Sequence, residues 1–293
     1  MEEKIRKRKI VLVGTGFVGM SFAYSLLSEK GINELILIDM NKDKAVGEQM
    51  DLSDGLPYAD SKMTIKAGDY DECKDADIVV VTAGAAQKPG QTRLELVTIN
   101  AKITKDVATQ IKNSGFNGIM VVASNPVDIM TYVAYRASGL PKEHVIGSGT
   151  ILDTARLRYN ISKRLGIAPS NVHAYIMGEH GDSSFVPWIH CYLGCKNLLE
   201  YIDEEDNLGL EDLQDIYMEV RNAAYEIINR KRATYYGIGL ALKRLVSCLL
   251  NDEKAILTVS TYQNGEYGRE GYYIGTPAVV GSNGVEKIVR LPL

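Results

Sequence analysis

Lys9-Ile10-Val11-Leu12-Val13 is a short apolar run that breaks directly into Gly14-Thr15-Gly16-Phe17-Val18-Gly19. The run is predicted to be a buried strand. Val18, Phe22 and Leu26 then recur at i+4 spacing until Gly31, the pattern of a helix with one apolar face. Leu35-Ile36-Leu37-Ile38 reads as a second strand and ends in Asp39, twenty residues beyond Gly19. Strand, glycine turn, helix, strand and acid in that order admit few folds. Gly14 permits the tight turn, Gly16 lets the backbone approach a pyrophosphate, and Gly19 lets the helix pack closely on the strand. The helix start at Phe17 and Val18 supplies free N–H groups and a partial positive charge for phosphates. Asp39 can accept from ribose hydroxyls and would repel a 2′-phosphate, which favours NAD over NADP. A glycine turn with no ligand is the competing reading.

Further strand-like runs follow at Met63-Thr64-Ile65, Ile78 to Val81, Ile119 to Val122 and Val145-Ile146, with helical patterns such as Leu94 to Ile111 between them. Apolar strands alternating with helices predict an α/β fold built on a doubly wound parallel sheet. Ligands of such sheets lie beyond the carboxyl ends of the strands. Three segments fall there: Thr82-Ala83-Gly84-Ala85, Gln87 to Arg93, and Ser124-Asn125-Pro126. Gln87 to Arg93 is polar, contains Pro89-Gly90 and reads as a loop able to close over a site. Arg93 would bring a fixed charge to a substrate oxygen, or is an ordinary solvated arginine. Asn125-Pro126 is either a cis peptide aiming the Asn125 amide into the cleft or an ordinary turn.

The pattern changes at Gly147-Ser148-Gly149-Thr150. With 293 residues the chain exceeds the usual size of one core, so a dinucleotide-binding domain over 1–147 and an α+β substrate domain over 148–293 are expected. Ile151 to Tyr159 looks like the start of a helix on which Asp153 and Arg156, three apart, share a face. Arg158 lies about 200° from Arg156 and points the other way. An exposed helix salt bridge is the plain alternative for the pair. Val172 to Met177 reads as a strand leading into Gly178-Glu179-His180-Gly181-Asp182. A histidine on such a turn can present imidazole to a cleft, or stand solvated on the surface. In an extended strand His173 and His180 would lie ~20 Å apart and serve different sites. His173 is then a strand-edge histidine or an anion ligand beside Arg158. Leu213 to Ile228 is an amphipathic helix, Gly237 and Gly239 open another that reaches Leu250, and Ala255 to Ser260 and Gly271 to Gly275 read as antiparallel strands.

A net charge of -4 argues against a nucleic-acid surface. Cys73, Cys191, Cys195 and Cys248 have neither zinc-type spacing nor a disulfide framework, so no metal is expected and reduced thiols in the cytoplasm are. No run reaches membrane-spanning length, and Ile10 to Val13 is too short for a signal-peptide core.

In order and combination, Gly14 to Gly19, Gln87 to Arg93, Ser124-Asn125-Pro126-Val127-Asp128, Leu152-Asp153-Thr154-Ala155-Arg156 and Gly178 to Asp182 resemble the lactate/malate dehydrogenase family over essentially the whole chain. The resemblance implies a Rossmann domain, NAD as cofactor, and L-lactate dehydrogenase activity: reversible hydride transfer between NADH and pyruvate, at the fermentative end of glycolysis. It implies that His180 donates and accepts the proton, that Asp153 orients it, that Arg156 holds the substrate carboxylate and that Arg93 stabilises the reacting carbonyl oxygen. It further implies that Asn125 helps place substrate and nicotinamide, that Thr234 walls the pocket, and that Ile238 packs on the nicotinamide. Cofactor contacts are implied at Gly14, Gly16, Phe17, Val18, Gly19, Asp39, Thr82, Gly84, Asn125 and Ile238. Oxaloacetate carries a second carboxylate that needs a cation, whereas Gln87 is neutral, which favours pyruvate over oxaloacetate.

In bacterial members of the family the positions matching Arg158 and His173 form a subunit-interface site for fructose 1,6-bisphosphate. Allosteric activation and a homotetramer are therefore expected. Two departures stand out. The family continues past Leu291-Pro292-Leu293 into one more amphipathic helix that this sequence does not reach, and Arg232 occupies a position where glycine is usual. A catalytically weakened or silent dinucleotide-binding homologue, and a dehydrogenase for malate or a larger 2-hydroxy acid, remain as alternatives.

Overall fold

Ile10 and Leu12 face one side of their strand, Val11 and Val13 the other, and both sides are buried. A strand apolar on both faces needs helices above and below it. The computed structural model, which describes residues 8–85, 93–204 and 209–293, provides them. The first half alternates β1 (Lys9–Val13), α1 (Phe17–Leu26), β2 (Glu34–Ile38), α2 (Lys42–Gly55), β3 (Thr64–Ala67), β4 (Ile78–Val81), α3 (Arg93–Asn113), β5 (Ile119–Val122), α4 (Val127–Ser138) and β6 (Val145–Gly147). These six strands are parallel in the order β3-β2-β1-β4-β5-β6. The strand order reverses between β1 and β4, and there the crevice at the carboxyl ends opens.

The second half comprises α5 (Ile151–Leu165), β7 (Val172–His173), β8 (Tyr192–Leu193), β9 (Lys196–Asn197), α6 (Leu198–Glu204), α7 (Leu210–Lys231), α8 (Tyr236–Leu250), β10 (Ala255–Asn264), β11 (Glu270–Gly281) and β12 (Gly284–Ile288). β10 pairs antiparallel with β6 at Ser260–Gly147, so β10 to β12 extend the parallel sheet to nine strands among the described residues. Phe22 and Leu26 of α1 join Leu242, Leu245 and Leu249 of α8 on one face of that sheet. Val107 and Ile111 of α3 join Met130 and Ala134 of α4 on the other. A third core lies between α5 and α7, where Leu157 and Ile161 meet Leu213, Ile216 and Val220. Gly239 marks the crossing of α8 over α1, since a Cβ there would stand 2.8 Å from the Ser21 Cβ.

The strand expected over Val172 to Met177 is shortened to Val172–His173, with only isolated bridges from Met177 to Phe185 and from Gly178 to Gly275. Side chains of α5 and of its N-cap residue Thr150 take the place of a neighbouring strand. Arg158 Nε donates to the Ala174 carbonyl at 3.0 Å, Thr150 Oγ1 donates to the Ile176 carbonyl at 2.6 Å, and Thr154 Oγ1 accepts from the Ile176 N–H at 2.9 Å. Buried backbone groups need partners, but not strand partners. His173 and His180 have different neighbours on α5: Arg158 binds the carbonyl next to His173, and Asp153 binds the His180 ring.

Arg232 closes α7 in the left-handed region, φ 73°. That conformation costs a residue with a Cβ about 1–2 kcal/mol, while glycine loses about 0.4–1 kcal/mol through its freer unfolded chain. Arg232→Gly is accordingly expected to stabilise the protein by about 0.5–1 kcal/mol, read as a higher denaturant midpoint at unchanged slope. An unchanged or lower midpoint would contradict the strain.

Candidate active site

The glycine turn after β1 divides three tasks among three residues. Gly14 has φ +105°, and a Cβ on it would stand 2.7 Å from the Ala83 amide nitrogen. A Cβ on Gly19 would meet the Gly14 carbonyl at 2.1 Å, so α1 lies directly against the turn. Around Gly16 a Cβ would meet nothing within 4 Å. Gly16 is also the N-cap of α1 and offers no side-chain cap, which leaves the first amides of that helix facing open space at its positive end. A pyrophosphate fits such a cradle. Phe17 is exposed beside it and stacks on Tyr235, with ring centroids 5.2 Å apart, while Val18 is packed against the core.

Asp39, at the end of β2, accepts through Oδ2 from the Thr15 amide at 2.8 Å and the Thr15 hydroxyl at 3.0 Å, and through Oδ1 from the Asn41 amide at 2.9 Å. Burial pushes its carboxyl up, but the Asn41 and Thr15 donors and the Lys44 charge outweigh that and hold it below the usual range. A carboxylate has about four acceptor positions, so three protein bonds leave it able to take a ribose hydroxyl. Asp39 thus also braces the glycine turn, which spacing alone did not reveal.

The loops after β4 and β5 are tied together beside this turn. Thr82 Oγ1 donates to the Gly14 carbonyl at 2.8 Å, and Ser124 Oγ to the Ala83 carbonyl at 2.5 Å. Buried Asn100 of α3 accepts from the Ala85 amide at 2.8 Å and donates to the Asn125 carbonyl at 2.8 Å. Gly84 and Asn125 are exposed at the rim, and the Asn125–Pro126 bond is cis. Asn100 escaped the sequence reading because a polar residue in a helix carries no signal of the loops it reaches. Gln87 and the Arg93 side chain lie outside the described residues.

Asp153, Arg156 and His180 come together. His180 Nδ1 lies 2.6 Å from Asp153 Oδ2, and Arg156 Nη1 lies 3.1 Å from Asp153 Oδ1. The Asp153 side chain is 13% exposed and that of Arg156 15%, whereas that of His180 is 31% exposed. Burial depresses the His180 pKa, yet the hydrogen bond and charge of Asp153, with the charge of Asp128, outweigh burial and the opposing Arg156 and raise it. Burial likewise pushes Asp153 up, and His180 and Arg156 overcome it and hold its carboxyl low. Both shifts favour an aspartate–imidazolium pair.

Asp128, quoted in a motif but given no role by sequence reading, accepts from the His180 amide at 3.2 Å. It stands at the second position of α4, three residues after Asn125, and so brings the His180 turn to the carboxyl end of β5, where the crevice opens. α8 closes the arrangement from the other side: it packs on α1 and α5, with Gly237 against Leu152. Ile238 is half-buried against the core at its start, and Thr234 is half-buried just before it. Arg158 is turned away from Asp153, its guanidinium 4.8 Å from the Tyr175 ring centroid, and His173 is exposed one residue from the carbonyl that Arg158 binds.

Known proteins resemble this chain over nearly its whole length. Residues 8–147 match the family described as lactate/malate dehydrogenase, NAD binding domain, and residues 150–293 match its alpha/beta C-terminal domain. The L-lactate dehydrogenase 2 of Lactococcus lactis subsp. lactis is 54% identical over 288 residues, 98% of this chain and 92% of that protein. A lactate dehydrogenase from a Medee basin deep-sea metagenome library superposes with TM-score 0.96 at 55% identity, over 99% of this chain and 92% of the other. The minor L-lactate dehydrogenase of Enterococcus mundtii in its ligands-bound form gives TM-score 0.96 at 50% identity, over 98% and 92% of the two chains.

Proposed function

The chain belongs to the lactate/malate dehydrogenase family, and from that premise we propose that it is an NAD-dependent L-lactate dehydrogenase whose proton donor and acceptor is His180. The observation that carries the reading is the contact of His180 Nδ1 with Asp153 Oδ2 at 2.6 Å, on a carboxylate that Arg156 also holds. The division at 147/148 into a dinucleotide-binding and a substrate domain belongs to the same proposal.

The nicotinamide cofactor, when bound, supplies or takes up the hydride. Gly14, Gly16, Phe17, Val18 and Gly19 would hold its pyrophosphate, Asp39 its ribose, and Thr82, Gly84, Asn125 and Ile238 would border the remainder. With Nδ1 engaged by Asp153, His180 Nε2 is the nitrogen that gives its proton to the pyruvate carbonyl oxygen, and in reverse neutral His180 takes it from lactate. The Arg156 guanidinium grips the carboxylate through two parallel bonds. Arg93 supports negative charge on the reacting oxygen, and Asn125 and Thr234 limit how the substrate lies.

Charge counting supports this order. The carboxylates of Asp153 and Asp128 outnumber the Arg156 guanidinium beside His180, which favours a protonated ring, and an arriving carboxylate then favours that protonated form further. Neutral Gln87 leaves a second carboxylate unpaired, which favours pyruvate over oxaloacetate. Activation by fructose 1,6-bisphosphate at Arg158 and His173, assembly as a homotetramer and a cytoplasmic setting complete the proposal. The first is supported by the separation of Arg158 from the Asp153 face, and the last by four free cysteines. Among the described residues no helix is long and apolar enough to cross a membrane.

The test is NADH oxidation with pyruvate, oxaloacetate and 2-oxoisocaproate, each with and without the bisphosphate. Pyruvate is expected to exceed oxaloacetate in kcat/KM by about 10²-fold, the order set by one buried unpaired charge. NADH binding without pyruvate-dependent oxidation would identify a silent homologue, and preference for oxaloacetate a malate enzyme. A bisphosphate that alters neither pyruvate saturation nor the tetramer population would remove the allosteric part.

A further inference from the structure

His180 is gripped twice, by carboxylates from different helices. Asp153 of α5 takes the ring, and Asp128 of α4 takes the main chain, accepting from the His180 amide through Oδ2 at 3.2 Å. The other oxygen of Asp128 accepts from Ser260 Oγ at 2.5 Å, and Ser260 is fully buried on β10, paired in register with Gly147 of β6. Residues 128, 180 and 260 therefore join the start of α4, the histidine turn and the junction between the parallel and antiparallel parts of the sheet.

A purely structural tie would not require a carboxylate. An asparagine could accept from the amide and donate to the serine hydroxyl, whereas a buried carboxylate has to offset the loss of hydration. Burial indeed pushes Asp128 above the usual carboxylate range, against the bonds from Ser260 and His180. What aspartate adds over asparagine is negative charge beside a histidine that must hold a proton.

Building on the reading of His180 as proton donor, we propose that Asp128 is a positioning residue for proton transfer, fixing the His180 main chain at its distance from the reacting carbonyl and favouring the imidazolium by its charge. The charged groups around His180 are Asp153 and Arg156 on α5, Asp128 on α4, and on its own turn Glu179, which accepts from Ser183 and adds negative charge beside Asp128, and Asp182, which lies 3.8 Å from Arg221 of α7. β10 contributes the neutral hydroxyl of Ser260. Asp153 governs the rotation of the ring; Asp128 governs where the ring is attached. A displacement of about 1 Å at a reacting group can lower a rate about 10²-fold.

Asp128→Asn, Asp128→Ala and Ser260→Ala in the full chain separate the two roles. Three readouts apply: kcat and KM for pyruvate against pH, NADH affinity from fluorescence, and the His180 ring titration by NMR without cofactor. Because kcat/KM for pyruvate needs protonated His180, its alkaline limb lies at the His180 pKa. Removing a negative charge lowers that pKa, so both Asp128 variants are expected to move the limb and the NMR midpoint down by about one unit. Asp128→Ala is expected in addition to lower kcat about 10²-fold with pyruvate KM and NADH affinity little changed, and Ser260→Ala to lower kcat less. A folded Asp128→Asn protein with the wild-type NMR midpoint would overturn the electrostatic role. An Asp128→Ala protein with wild-type kcat, or with kcat and NADH affinity falling together, would overturn the positioning role. If the unaltered chain binds NADH but does not turn over pyruvate, the proposed reaction fails, while the NMR midpoints still decide the influence of Asp128 on His180.

Discussion

His180→Gln is expected to lower kcat for pyruvate reduction by about 10²–10⁴-fold, the usual contribution of a positioned general acid, while NADH still binds with wild-type affinity. The substitution removes the transferable proton and leaves the glycine turn and Asp39 untouched. In the unaltered protein kcat/KM for pyruvate should be level while His180 is protonated and fall tenfold per pH unit above its pKa. That pKa lies above the ordinary histidine value, because the Asp153 bond and charge exceed the effect of burial, so the level region extends past pH ~6.5. Asp153→Asn withdraws the raising partner, and the limb should move to lower pH. In His180→Gln the limb should vanish, since no group is left to titrate. A variant that kept both its rate and its alkaline limb would remove His180 from the chemistry.

Arg156→Gln should raise pyruvate KM about 10²-fold or more, since charge-assisted bonds contribute about 1.5–3 kcal/mol each and a bidentate guanidinium makes two. Arg156→Lys keeps the charge without the fork and should fall between wild type and Arg156→Gln. The pH profile offers a second, independent reading. Arg156 opposes protonation of His180, so its removal should move the alkaline limb to higher pH, opposite in sign to Asp153→Asn. Steady-state kinetics over a pH series measures both effects. An unchanged KM would show that the substrate carboxylate is held elsewhere, and a downward limb would show that Arg156 does not face the histidine.

The parts of this architecture legible in advance are those governed by short-range pattern. Apolar runs such as Ile78 to Val81 and Ile119 to Val122 read as strands buried on both faces, and they lie side by side in the sheet, β4 beside β5. The spacing of three between Asp153 and Arg156 placed them on one face of a helix, and an ion pair at 3.1 Å joins them. Val172 to Met177 carried the same apolar signal as a strand but found its hydrogen bonds in the side chains of Thr150, Thr154 and Arg158. Alternation reports which side chains are buried, and is silent about which groups satisfy the backbone. The extension of the sheet by β10 to β12 was equally hidden, because an antiparallel ribbon reads alike whether it stands alone or joins another sheet.

Read from the chain alone, local chemistry settles where glycine must bend, which runs are buried, and which charged residues share a helical face, because each depends on neighbours a few bonds away. Folding in three dimensions decided that Asp128, His180 and Ser260 meet, that Asn100 clasps two loops, and that Asp39 braces Thr15. Those contacts join residues up to 132 positions apart, and no periodicity records a distance set by the packing of helices on a sheet.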